Sequence, residues 1–216
     1  MLALLIIAAL ETPYPNVSVG DSWQGESRFL YSAVDRPTET DLTVWKEGWQ
    51  VTSVADGVVT LACSRVMVES AMDGKPVPVP ADIKPLTWTE RWSQKGVERD
   101  PIIDEPIDLR LWRMRLLPPL GVPWAWPASS KMPAANAEMR IDRRAVAGPD
   151  GPSIRGWFNE DGGIQATITG VIDSKSSWAI SGKIEAKRTP MPGGDGTPFN
   201  LTIEWKTLKL EVKGRR

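Results

Sequence analysis

Carboxylates are the acid–base groups this chain offers. Asp100, Asp104, Glu105 and Asp108 cluster together, with Arg99 beside them. A glycoside hydrolase sets two carboxyls roughly 5–10 Å apart across a cleft. Asp104 and Asp108, four residues apart on a helix, would fall near that range. The same acids also suit the cap and first turn of a helix, a role that requires no catalysis. Glu160 and Asp161 lie in an Asn-Glu-Asp-Gly-Gly run, which is turn chemistry without the spacing of a calcium loop. Composition closes the His- and Cys-dependent catalytic classes and leaves lysine, tyrosine and hydroxyls beside the carboxylates. The 216 residues contain no histidine and one cysteine, Cys63. That removes Ser-His-Asp and Cys-His machinery, His-ligated metals, intrachain disulfides, redox Cys pairs and thiolate zinc clusters. Cys63 alternates in phase with Val59, Leu61 and Arg65, which predicts a buried thiol. No phosphate-cradling glycine loop is present. No cofactor and no metal are expected, and a binding role ranks ahead of catalysis.

Tryptophan is the outstanding residue, with eleven copies. Core packing is the first reading for the whole set, since Trp is bulky and suits strands and barrel interiors, and Trp178 and Trp205, which alternate with aliphatic residues, belong there. Two functional readings stand beside it: exposed rings that stack on sugars, or rings that line an apolar cavity with polar groups at its rim. Trp124 and Trp126 sit in a Pro-Trp-Ala-Trp-Pro run, so an extended chain turns both rings to one side. Together with Trp112 they are the candidate ligand-binding residues.

The net charge is −1, which gives the whole chain no footprint for nucleic acid. The balance hides an asymmetry. Residues 1–108 hold 9 basic and 17 acidic groups, net −8, and residues 109–216 hold 17 and 10, net +7. Two halves of opposite charge can pack together, or the basic half can meet an anionic lipid or glycan.

Positioning these residues falls to strands. Residues 163–173 and 177–188 both alternate apolar with polar, around a turn-rich Asp-Ser-Lys-Ser-Ser, and predict an antiparallel hairpin. In the first, Ile164, Ala166, Ile168 and Ile172 share a face; in the second, Trp178, Ile180, Ile184 and Ala186 do. Near the end, Phe199, Leu201, Ile203 and Trp205 point one way. Leu208, Leu210 and Val212 follow one residue out of phase, which predicts a β-bulge at Lys206-Thr207. Strands are also expected over residues 23–31, 41–45, 49–54, 58–68 and 86–93. Asp56-Gly57 and Asp73-Gly74 mark turns, and the proline-broken residues 75–85 read as an extended loop. Residues 104–117 differ: an acidic start, arginines near the end and two closing prolines predict one short helix.

Two segments bear on domain organisation. Residues 2–10 form an apolar run with small residues near its end, the length of an export-signal core and far short of the ~20 residues that span a bilayer. No basic residue precedes it. Residues 1–10 are therefore read as an export signal, with a buried first element as the alternative, and the working β-rich domain as 16–216. Val19-Gly20-Asp21-Ser22-Trp23 resembles Leu120-Gly121-Val122-Pro123-Trp124. The recurrence is either chance or a sign of two related β halves, 16–103 and 118–213, joined by the helical segment 104–117.

The expected fold is all-β: a curved antiparallel sheet, as a half-barrel or barrel, with the short helix covering an opening. At the level of architecture only, this resembles the periplasmic lipoprotein-carrier half-barrels, whose motifs this sequence does not carry. The leading functional expectation is a non-catalytic exported or cell-envelope protein that binds a lipid or other apolar ligand in the concave sheet. The alternatives are a carbohydrate-binding module with Trp platforms and a carboxylate-dependent glycan hydrolase or lyase.

Overall fold

The computed structural model describes residues 17–38, 40–93, 96–100, 138–144, 153–159, 165–173, 178–190 and 198–213. The regular elements within them are strands: β1 (Ser22–Ala33), β2 (Thr40–Ala55), β3 (Val58–Met72), β4 (Lys75–Val77), β5 (Leu86–Ser93), β6 (Gly96–Asp100), β7 (Glu138–Arg144), β8 (Ser153–Asn159), β9 (Gln165–Ile172), β10 (Ala179–Pro190) and β11 (Pro198–Glu211). They form one antiparallel sheet in the order β6-β5-β3-β2-β1-β11-β10-β9-β8-β7, with β4 paired to β3 off that path. The sheet is open, with β6 and β7 at its two ends. Most neighbours are consecutive in sequence. The exception that joins early strands to late ones is β1 against β11. Glu26 stands opposite Lys206 in that seam, 3.7 Å between carboxylate and ammonium, so acidic and basic halves meet there.

The predicted hairpin forms as β9–β10, and β5 pairs antiparallel with β6, the next strand in the chain. Asp56-Gly57 and Asp73-Gly74 both take positive φ, at 49° and 72° and at 48° and 73°. Such a pair of left-handed residues matches the twist of the strands it joins, hence the Asp-Gly choice. Part of the expected proline loop is strand after all. Pro76 sits opposite Ala71 in β4, where an edge position asks no N–H of it.

Two of the sheet's register shifts bear on the predicted alternation. Phe199, Leu201, Ile203 and Trp205 are buried as the alternation predicts. Gln24 then pairs Lys209 while Gly25 pairs Thr207, so the extra residue is Leu208, next to the predicted position. Leu208 is 58% exposed, and Leu210 and Val212 return to the core. The second bulge corrects a reading. Ala179 pairs Ile172 and Ser181 pairs Val171, leaving Ile180 as the extra residue. Ile180 therefore turns outward, at 36% exposure, and Ala179 takes the inner position.

Buried apolar side chains from β1, β2, β3, β5, β9, β10 and β11 make a single cluster on one face of the sheet. Glycine makes room for tryptophan in it. A Cβ on Gly25 would lie 2.5 Å from the Trp23 ring, and one on Gly182 would lie 2.5 Å from the Trp205 ring. The ends are tied by Asp21, which is buried and accepts from the Ser18 amide at 2.8 Å and the Lys213 amide at 2.6 Å. Residues 1–10, read from sequence as an export signal, and the helix expected at 104–117 between the two proposed halves lie outside the described residues.

Candidate functional site

Strand alternation puts every second residue on the buried face, and the register lines those residues up across the sheet. One row runs Leu210, Trp23, Trp49, Cys63, Trp88. Trp23 and Trp49 meet edge to face, with centroids 6.5 Å apart and planes at 84°. That arrangement places the positive ring edge on the negative ring face. Trp23 also donates its indole N–H to Thr207 Oγ1, whose hydroxyl reaches the Ala179 carbonyl at 3.3 Å. Trp23, Trp49, Trp88, Trp92, Trp178 and Trp205 are all buried, and Trp45 packs against the same cluster. Cys63 is buried among them, as its alternation predicts.

Charged groups share this face. Glu90 is fully buried between Trp88 and Trp92 on β5; their indole N–H groups donate to Oε1 at 2.6 Å and Oε2 at 2.9 Å. Glu47 accepts the Ser27 hydroxyl at 2.9 Å, and Arg65 Nε lies 3.9 Å from its other oxygen. The Arg65 guanidinium sits 4.0 Å over the Trp45 ring and 4.5 Å over Phe29. A buried cation held between aromatic faces keeps electrostatic support that water would otherwise give. Hydrogen bonds and stacking thus engage each of these charges within an aromatic wall.

The register also bears on catalysis. Glu47 is level with Arg65 and Leu86, so Glu90 lies four residues further along and two strand steps away. Ordinary strand spacings make that roughly 16 Å between backbones, wider than the ~5–10 Å between glycosidase carboxyls. Both oxygens of Glu90 are already acceptors for indoles. Among the described residues, no group of three His, Cys, Asp or Glu side chains is placed to hold a metal ion.

Of the residues singled out from sequence, Trp112, Trp124 and Trp126 lie outside the described residues, and so do Asp104, Glu105 and Asp108. Asp100 is described; it is exposed at the end of β6, across from Thr89. Sequence reasoning missed Glu47 and Glu90. Their signal was present: each is a charged residue in phase with flanking tryptophans, 45 and 49 in one case, 88 and 92 in the other. Two cavities lined by described residues open on the opposite, outer face. Ion pairs there shift two surface groups. The Glu185 carboxylate hydrogen-bonds Lys183 and raises its pKa above the ordinary 10.5, and Lys209 hydrogen-bonds Glu211 and lowers its pKa below 4.5.

No protein-family model and no curated protein matches this chain. Among solved structures it is similar to the crystal structure of MucB in complex with MucA(peri), at 8% identity over 89% of this chain and 94% of that one, with a TM-score of 0.18. A likeness this distant says nothing of function. No helix among the described residues is long and apolar enough to cross a membrane.

Proposed function

We propose that this chain is a non-catalytic exported or cell-envelope protein that holds an apolar ligand, a lipid or acyl chain, against the Trp-rich inner face of its open sheet. The observation that carries the reading is segregation: the tryptophan side chains described all belong to one face and one cluster. Rigid aromatic walls offer a large apolar contact area while freezing few torsions of their own. The Ser27–Glu47–Arg65 group gives that face a polar handle, the usual companion of an apolar site.

The export part of the reading rests on residues 2–10 alone. N-terminal sequencing of the protein recovered from an envelope or culture fraction tests it; an intact Met1 would overturn it. For the ligand, native mass spectrometry of delipidated protein with palmitate, phosphatidylglycerol or phosphatidylethanolamine should show a one-to-one complex with at least one of them. Bare protein in all three mixtures would refute the apolar-ligand reading. The Trp-platform alternative now depends on Trp112, Trp124 and Trp126, since the described rings face the interior. The hydrolase alternative depends on Asp104 and Asp108, and Asp104→Asn or Asp108→Asn would have to abolish a measured activity.

A further inference from the structure

The larger outer-face cavity, about 770 Å³, is a trough that crosses the strands. Its floor is two rows of short side chains set by the register. One row reads Ser22, Gln50, Ala62, Thr89, Asp100, and the next reads Gln24, Gly48, Ser64, Thr87. Trp49, Cys63 and Trp88 also border it, but their side chains belong to the inner face, so they present backbone.

Three features separate this trough from an ordinary wet face. The first is charge. Hydroxyls and amides fill the floor, and Asp100 at one end is its single ionisable residue. Charge returns along both long sides, as cross-strand pairs of opposite sign: Glu26 opposite Lys46, and Arg91 opposite Glu98. The long rim side chains make walls around a floor that is uncharged apart from Asp100. The second is Gly48. A glycine inside a strand costs about 0.5–1 kcal/mol relative to alanine, and here neither a turn nor ring packing accounts for it. Gly48 has no positive φ, and the nearest atom to a Cβ placed on it is the Ser64 hydroxyl at 2.9 Å. A Cβ there would crowd the Ser64 hydroxyl, and without one the trough floor stays at backbone height on β2, open to close approach. The third is repeat. Hydrogen-bonding groups recur at each strand, about 4.8 Å apart, along a trough running from β1 to β6. A chain of pyranose rings advances by a similar step and offers hydroxyls on both edges.

We infer that this trough is a binding site for a neutral, extended oligosaccharide lying across the strands. Ser, Thr and Gln side chains hydrogen-bond its hydroxyls, Gly48 and Ala62 let the rings lie close, and Asp100 accepts from the terminal unit. The site is separate from the inner face and does not depend on an apolar ligand there.

Affinity electrophoresis through gels containing hydroxyethyl cellulose, galactomannan or dextran tests the inference on the whole chain. Retardation by at least one polysaccharide is expected, and it should be unchanged between roughly 0.05 and 0.5 M salt, because a neutral ligand feels no screening. Ala62→Arg, at an exposed position, should weaken binding roughly tenfold or more without moving the thermal midpoint, and Gly48→Arg is the second obstructing variant. Migration unaltered by all three polysaccharides would overturn the inference. So would retardation that survives both arginine variants, since the glycan would then bind elsewhere, or retardation that fades steeply with salt, since the charged rims would then be carrying it. An extended Ser- and Gln-rich peptide that binds where the sugars do not would assign the trough to a polypeptide instead.

Discussion

Glu90 receives an indole N–H on each carboxylate oxygen, and both donors come from its own strand two residues away. Replacing it with alanine removes both acceptors and opens a void. Glu90→Ala should therefore lose about 2–4 kcal/mol in urea unfolding. Glu90→Gln keeps one carbonyl acceptor and should lose less. A loss below about 0.5 kcal/mol for alanine would show that these bonds carry no stability. The Arg65–Glu47 pair calls for a cycle rather than a single variant. Arg65→Leu or Glu47→Leu alone strands a buried charge and should cost about 3–5 kcal/mol. The double variant should cost much less than the sum, and strict additivity would contradict the pairing. Burial of Cys63 and Arg65 was legible from alternation, because both stand in phase with Val59 and Leu61. What alternation cannot convey is the partner: Ser27, Glu47 and Arg65 come from three strands and meet only through register.

At the scale of elements, a single extra residue decides which side chains reach the core. Leu208 is the bulged residue of β11 and is exposed, so Leu208→Thr should leave stability within about 0.5 kcal/mol. Deleting Leu208 should also be tolerated, within about 1 kcal/mol, because a strand without the extra residue keeps Leu210 and Val212 in phase with Trp205. A loss of more than about 3 kcal/mol on deletion would contradict the bulge, since removing a regularly paired residue would turn Leu210 and Val212 to the wet face. On β10, Gly182→Ala should cost about 1–3 kcal/mol by overpacking, since its Cβ would run into the Trp205 ring and the Thr169 carbonyl. The β11 bulge was readable because the apolar phase visibly slips after Trp205. The β10 bulge was not, because Ile180 fits the alternation of its neighbours and only the pairing with β9 turns it outward.

For the molecule as a whole, the sheet path explains how an acidic and a basic half form one body: the β1–β11 seam joins early strands to late ones. Surface ion pairs then shape the pH profile. Lys183 has a raised pKa, so its pairing with Glu185 at 2.8 Å contributes fully below its ordinary value and fades as pH climbs through the raised one. Glu211 has a lowered pKa, so its pairing with Lys209 at 2.7 Å contributes above its ordinary value and fades as pH falls through the lowered one. Both pairs are substantially exposed, and their effects should be small. Thermal midpoints should be flat from about pH 5 to 10 as far as these pairs are concerned. Lys183→Met should lower the plateau slightly and remove its share of the alkaline decline, and Lys209→Met should lower it slightly and remove its share of the acid decline. Effects of either variant seen only at the pH extreme where its pair is already broken would contradict the assignment. The all-β class and most strands could be read from periodicity alone; the strand order could not, because the β1–β11 pairing spans nearly the whole chain.

The central claim is that the tryptophan-lined inner face receives an apolar ligand. Titrating delipidated protein with a brominated fatty acid tests it most directly, because bromine quenches indoles only at contact range. The account predicts saturable, stoichiometric quenching of the intrinsic fluorescence, relieved by competition with the unbrominated acid. Fluorescence that stays unchanged through the titration, with brominated and plain acids indistinguishable, would contradict it.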